Sequence, residues 1–231
     1  MCLTRQIEYY LNRRQSIPAV PDNSHDNNDS EDSYGWDVAV SGDTMAVGAY
    51  SEDSNQTTIT NGTSASSNNS NSGSGAVYVY KRTGTNWSQE AYIKAANNDS
   101  EDSYGWNVAV SGDTMAVGVP SEDSNQTTIT NGTSASSDNS NTDSGAVYIY
   151  KRTGSSWAQE AYIKAVNNNA NDWFGTSLAL DNNTLVVGAK NEDSNQTTIT
   201  NSTLASSNDS SSNSGAVYVY KRNGSNWSQE S

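Results

Sequence analysis

The stretch Gly75-Ala76-Val77-Tyr78-Val79-Tyr80-Lys81-Arg82 decides how this chain is read. It returns as Gly145-Ala146-Val147-Tyr148-Ile149-Tyr150-Lys151-Arg152 and as Gly215-Ala216-Val217-Tyr218-Val219-Tyr220-Lys221-Arg222, each copy 70 residues after the one before. Valine and tyrosine alternate, the period of a strand with two unlike faces. A fixed period marks a repeat architecture, in which one unit cannot bury its apolar face alone. Two glycine series keep the same phase: Gly35, Gly105 and Gly175, and Gly48, Gly118 and Gly188.

Outward from that stretch, the first repeat divides into four short runs. Residues 34–40 form a first β run, Ser41-Gly42-Asp43 a tight turn, and residues 44–49 a second run of β-branched and apolar residues. A polar loop over residues 51–74 leads to the quoted strand, and residues 87–95 make a fourth run after a short turn. Four antiparallel strands per unit describe a propeller blade. The expected fold is all-β, a partial β-propeller of three four-stranded antiparallel blades with long polar loops on one face; a solenoid of hairpins competes with it. The domains read as a non-repeat segment over residues 1–26, blade repeats over 27–96 and 97–166, and an incomplete third over 167–231.

The order Tyr34-Gly35, Val38-Ala39-Val40, Val47-Gly48-Ala49, then Gly75-Ala76-Val77-Tyr78-Val79-Tyr80 resembles the FG-GAP repeats of integrin α-chain β-propellers, and more closely bacterial surface proteins built from them. The third repeat has the literal pair Phe174-Gly175. The resemblance implies an extracellular or cell-surface protein. It also implies calcium loops between the first two strands, but those connections hold too few carboxylates here: Ser41-Gly42-Asp43, Ser111-Gly112-Asp113 and Asp181-Asn182-Asn183 cannot supply the six to eight oxygens Ca²⁺ prefers.

Closed propellers use four to eight blades, so three repeats predict a fragment of a longer repeat protein, with closure within the chain or pairing of two arcs as alternatives. Open blade edges would invite self-association. Ile17-Pro18-Ala19-Val20 resembles the end of a fourth strand, Ile163-Lys164-Ala165-Val166, and offers a way to complete the last blade.

Antiparallel order gathers the acidic loops on one face. Asp29, Glu31, Asp32, Glu52 and Asp53 come from the first repeat, Asp99, Glu101, Asp102, Glu122 and Asp123 from the second, and Asp172, Glu192 and Asp193 from the third. Lys81, Arg82, Lys151, Arg152, Lys221 and Arg222 fall near the opposite end. These carboxylates are candidate Ca²⁺ ligands, because hard cations favour oxygen from flexible loops; a solvated acidic surface is the plainer use. Between repeats two and three the strand region 103–120 matches 173–190 at five of eighteen positions, yet residues 122–131 are identical to 192–201. Surface loops normally vary more than frameworks. Either a recent duplication copied the loop or the loop has a role in every blade, and its Thr-Thr-Ile-Thr core suits a small hairpin.

With 12 basic against 26 acidic residues and a net charge of −14, the chain is a poor partner for a phosphate backbone, and nucleic acid is not expected. One cysteine excludes an intrachain disulfide, and no apolar run approaches a membrane span. His25, the single histidine, lies outside the repeats, so nucleophilic triads are not expected and the chain does not read as an enzyme. The sequons Asn55-Gln56-Thr57, Asn61-Gly62-Thr63 and Asn86-Trp87-Ser88 would be glycosylation acceptors in a suitable secretory pathway, and chance matches are the plainer reading in an Asn-rich chain. Six tryptophans raise carbohydrate stacking, with packing at blade edges the plainer use. The functional expectation is a non-catalytic extracellular or cell-surface binding or adhesion module, with a protein or glycan ligand at the anionic loop face. The alternatives are a structural spacer and a Ca²⁺-stabilised carbohydrate-binding propeller.

Overall fold

The structure, a computed structural model, describes residues 29–201 and 203–230. The non-repeat segment and the proposed blade completion at residues 17–20 lie outside the described residues. Blade one comprises β1 (Val38–Ser41), β2 (Thr44–Ala49), β3 (Ile59–Asn61), β4 (Ala76–Thr83) and β5 (Asn86–Ile93). Blade two repeats it as β6 (Asn107–Ser111), β7 (Thr114–Val119), β8 (Ile129–Asn131), β9 (Ala146–Thr153) and β10 (Ser156–Ile163). Blade three has β11 (Phe174–Asp181), β12 (Thr184–Ala189), β13 (Ala216–Asn223) and β14 (Asn226–Gln229). The sheets run β1-β2-β4-β5-β3, β6-β7-β9-β10-β8 and β11-β12-β13-β14, antiparallel throughout. The all-β, three-bladed partial propeller read from the sequence is the fold observed.

Two local expectations change. The first strand of blade one starts at Val38 rather than at residue 34, because Ser33 (φ 56°) and Gly35 (φ 85°) curl the chain and the Trp36 amide donates back to the Ser33 carbonyl at 3.1 Å. The Thr-Thr-Ile-Thr core does not close a hairpin on itself. Ile59–Asn61 and Ile129–Asn131 instead extend the outer edge of the sheet, pairing antiparallel with β5 and β10, so two blades have five strands.

The alternation in the quoted stretch is the packing plan. Val77, Val79, Ala91 and Ile93 of blade one meet Met115, Val117, Tyr148, Tyr150 and Tyr162 of blade two in one fully buried cluster. Val147, Ile149, Ala161 and Ile163 then meet Leu185, Val187, Tyr218 and Tyr220 of blade three. The valine face of each blade therefore buries the tyrosine face of the next, and apolar area leaving water at roughly 25 cal/mol per Å² makes these seams the main source of stability.

Close backbone approach explains the phased glycines. A Cβ on Gly48 would lie 2.1 Å from the Gly105 carbonyl oxygen of blade two. Gly75, at φ +79° and bridged to Tyr104, would meet that residue's carbonyl oxygen at 2.1 Å. Side chains then bolt the blades together. The Trp157 amide donates to Asn61 Oδ1 at 2.7 Å while Asn61 Nδ2 donates to the Trp157 carbonyl at 3.2 Å, and Asn131 holds Trp227 in the same way at 2.7 and 3.3 Å. Glu90 accepts from Trp157 Nε1 at 3.0 Å and from Arg152 at 3.1 Å, a pattern Glu160 repeats with Trp227 and Arg222.

Candidate functional site

The loops after the second strand and after the fourth strand open on one end of the blades. Glu52 and Glu122 start the long loops, and both are buried. Glu52 accepts from Tyr92 Oη at 2.8 Å, from Lys94 Nζ at 2.6 Å and from the Ser54 amide at 3.1 Å. Glu122 accepts from Tyr162, Lys164, Ser124 and the Asn97 side chain. Both ion pairs are sealed from water. Burial pulls the Lys94 and Lys164 ammonium groups below their usual value, and the facing carboxylates oppose that fall. Each lysine also donates to the serine just before the quoted stretch, Ser74 or Ser144, at 2.8 Å. The loop glutamates are thus internal counter-charges that tie loop, third strand and fourth strand together.

Most of the remaining candidate ligands are also engaged by their own chain. Asp53, Asp123 and Asp193 accept from the amides of Gly73, Asp143 and Asn213, which close the long loops. Asp32 and Asp172 are buried and accept from the amides of Asp29 and Asn169. Burial raises Asp32 to about 6, Asp172 to about 7 and Asp102 to about 9; for Asp102, Glu122, Asp99 and Asp123 push the same way. Asp29 accepts from Asn69 at 2.8 Å, Asp99 is half-buried, and Glu31 and Glu101 are exposed in left-handed turn conformations at φ 80° and 68°. Among the described residues no three carboxylates, histidines or cysteines come together in a set that could hold a metal ion. Glutamates saturated by lysine and tyrosine do not fit the Ca²⁺ ligand role expected for them.

Glu192 is the exception. It is 1% exposed and keeps Asn167 at 2.8 Å and the Ser194 amide at 3.0 Å, but no tyrosine or lysine reaches it among the described residues. Burial raises its pKa.

The basic residues lie at the opposite end of the third strands. Arg82 meets Asp43 at 2.6 Å and Arg152 meets Asp113 at 2.5 Å, across the adjoining turns. Trp87, Trp157 and Trp227 sit under Arg82, Arg152 and Arg222 with the guanidinium 5.5 to 5.6 Å from the ring, in blade-edge packing. The asparagine of the second sequon, Asn61, is occupied by its clamp on Trp157.

The other tryptophans do something different. Trp36 is 51% exposed and lies 4.7 Å from Tyr50 and 5.1 Å from Trp106, with Tyr50 and Trp106 themselves 5.1 Å apart. Three rings from two blades form one aromatic patch on the loop face. Sequence reasoning misses this patch, because its members are spaced by the blade contact and not by any local motif. The signal was the shared phase of Trp36 and Trp106. In blade three the phase position is Thr176, and Lys190 lies 3.9 Å over Trp173 instead.

Comparison with known proteins bears on the repeats. No curated protein shows a significant match to the chain. A family model described as the FG-GAP repeat matches residues 25–80, 87–150 and 157–202, three times along the chain. Because these three matches together cover most of the sequence, the chain belongs to the FG-GAP repeat family.

Proposed function

We propose that this chain is a non-catalytic binding module that holds a carbohydrate-bearing ligand on its loop face, at the patch of Trp36, Tyr50 and Trp106. The exposure of Trp36 beside two further rings carries the reading. An aromatic face is apolar and electron-rich, so it stacks against the C–H face of a sugar ring. FG-GAP repeats are typical of extracellular proteins, which supports a place outside the cell or on its surface. No helix among the described residues is long and apolar enough to cross a membrane.

The test is a glycan array followed by titration of the best ligand, read by tryptophan fluorescence. Trp36→Ala is expected to weaken binding about tenfold or more, the scale of a lost aromatic anchor, with a stability change within about 1 kcal/mol. Unchanged binding in that variant sinks the reading. A second reading, a structural repeat spacer, draws on the loop glutamates being spent inside the blades; it predicts no ligand at all. A rise in Tm on adding millimolar Ca²⁺ would favour a calcium-stabilised module over both.

A further inference from the structure

The two buried lysines beneath the loop face are nucleophiles as well as counter-charges. Lys94 Nζ lies 2.6 Å from Glu52 Oε2 and Lys164 Nζ lies 2.6 Å from Glu122 Oε2, and both side chains of each pair are sealed from water. The pairs belong to the two five-stranded blades. Burial disfavours the ammonium form of each lysine and so favours the amine, which is the nucleophile.

The two oxygens of each glutamate are held unequally. Glu122 Oε1 accepts from Tyr162 Oη at 2.7 Å and from Asn97 Nδ2 at 3.1 Å, whereas Oε2 accepts from the lysine and from the Ser124 amide at 3.1 Å. Glu52 shows the same division, with Tyr92 Oη at 2.8 Å on Oε1, and Lys94 and the Ser54 amide on Oε2. A carboxyl under attack needs this asymmetry: neutral donors stabilise the oxygen that gains charge, while the other oxygen collects protons and leaves. Ser74 and Ser144 each accept a further lysine proton at 2.8 Å and fix where the nitrogen points.

We propose that each pair condenses to an isopeptide, an amide that joins Lys94 to Glu52 and Lys164 to Glu122. The lysine passes one proton to Oε2, and the neutral Nζ attacks Cδ while Oε1 takes the electron pair. As Oε1 re-forms the carbonyl, the bond from Cδ to Oε2 breaks, and Oε2 departs as water with a second proton from the nitrogen, leaving one N–H. No oxidant or co-reactant enters. Holding the amine against the carboxyl supplies an effective concentration of about 10⁵–10⁸ M. Ammonium and carboxylate depend on water that this site excludes, so the neutral amide gains over the ion pair relative to the same equilibrium in solution. In blade one the bond ties the start of the long loop, two residues after Tyr50, to the end of β5, and it spans 42 residues. It is a covalent staple in a chain whose single cysteine allows no intrachain disulfide.

The test is intact mass spectrometry of the full chain under denaturing conditions, followed by tryptic mapping. The expected mass lies two waters below that of the sequence, one for each pair. Trypsin should fail to cut after Lys94 and Lys164, and each should appear in a peptide cross-linked to its glutamate. Lys94→Arg and Lys164→Arg keep a cation beside the carboxylate, and each should restore one water. Tyr162→Phe removes a donor from Oε1 and should slow closure of the second bond by about 10²–10³-fold after refolding, read as the rate of water loss. A chain that keeps the full sequence mass after refolding and prolonged incubation overturns the proposal. So does a loss of water that survives both arginine substitutions, which would place the dehydration elsewhere. The wild-type peptide map decides even where an arginine variant fails to fold: peptides ending in free Lys94 and free Lys164 overturn the proposal.

Discussion

Blades two and three share an identical stretch, Glu-Asp-Ser-Asn-Gln-Thr-Thr-Ile-Thr-Asn, at residues 122–131 and 192–201, and fold it differently. In blade two its last residues are β8, hydrogen-bonded to β10, and its glutamate is saturated by Tyr162 and Lys164. Among the described residues of blade three, the same segment has no strand beside it, Ile199 is exposed, and the glutamate lacks both donors. The difference teaches that strand formation here belongs to the partner and not to the segment, because a strand ladder needs a second strand before β propensity counts. Glutamate, serine, glutamine, isoleucine and asparagine in this stretch each build part of a blade: a counter-charge, a turn, a brace on Thr128 and Thr130, a strand and a clamp on the next blade.

The largest effect should come from breaking the saturated glutamate of blade two. Lys164→Met leaves Glu122 as a buried carboxylate without its cation and is expected to cost about 3–5 kcal/mol in urea denaturation, much of it regained by adding Glu122→Gln. Glu192→Gln in blade three should stay within about 1 kcal/mol, and an equal cost at both sites would erase the contrast. Next in size are the glycines that open the quoted stretch. Gly145, at φ +84°, would put a Cβ 2.1 Å from the Phe174 carbonyl oxygen, whereas at Gly215, φ +76°, the nearest atom is 3.3 Å away. Gly145→Ala should therefore cost about 2–4 kcal/mol by strain plus overpacking, and Gly215→Ala about 1–2 kcal/mol from the left-handed backbone alone. Thermal unfolding of both variants checks the ranking.

A smaller contrast concerns the clamps. Asn131→Ala removes two hydrogen bonds to Trp227 and should cost about 1–2 kcal/mol, while Asn201→Ala, with no such tryptophan among the described residues, should change stability by less than about 0.5 kcal/mol. The smallest effect, per pH unit, is electrostatic. Asp102 and Asp172 favour their protonated forms when folded, so the stability they contribute is complete below the ordinary aspartate range and is lost as pH rises through the folded value, about 9 for Asp102 and about 7 for Asp172. The slope should stay below the about 1.4 kcal/mol per pH unit of one full proton, because coupling to neighbouring carboxylates spreads the titration. Tm measured from pH 5 to 9 should show Asp102→Asn flattening the decline across the range and Asp172→Asn only to about pH 7. A decline that survives both substitutions would place its origin elsewhere.

The blade is legible in the sequence because alternation in the stretch from Ala76 and the shared phase of the glycines are local signals that the valine and tyrosine faces then realise. The site is much less so. Lys94 and Glu52 stand 42 residues apart, and nothing in either segment says that two charged residues meet in a dry interior. Counting carboxylates per loop finds an acidic face but cannot tell a solvated group from one neutralised by a buried lysine. The Trp36, Tyr50 and Trp106 patch depends on the angle between two blades, which no spacing encodes.

The asparagine clamp also gives the chain a direction in time. Asn61 and Asn131 each reach forward 96 residues to a tryptophan made later, and neither reaches back. During synthesis every blade would thus emerge with its outgoing bolt already in place and wait for the next blade to receive it. A chain arranged in this way is suited to folding from its first repeat to its last while still on the ribosome, each finished blade acting as the template on which its successor is set.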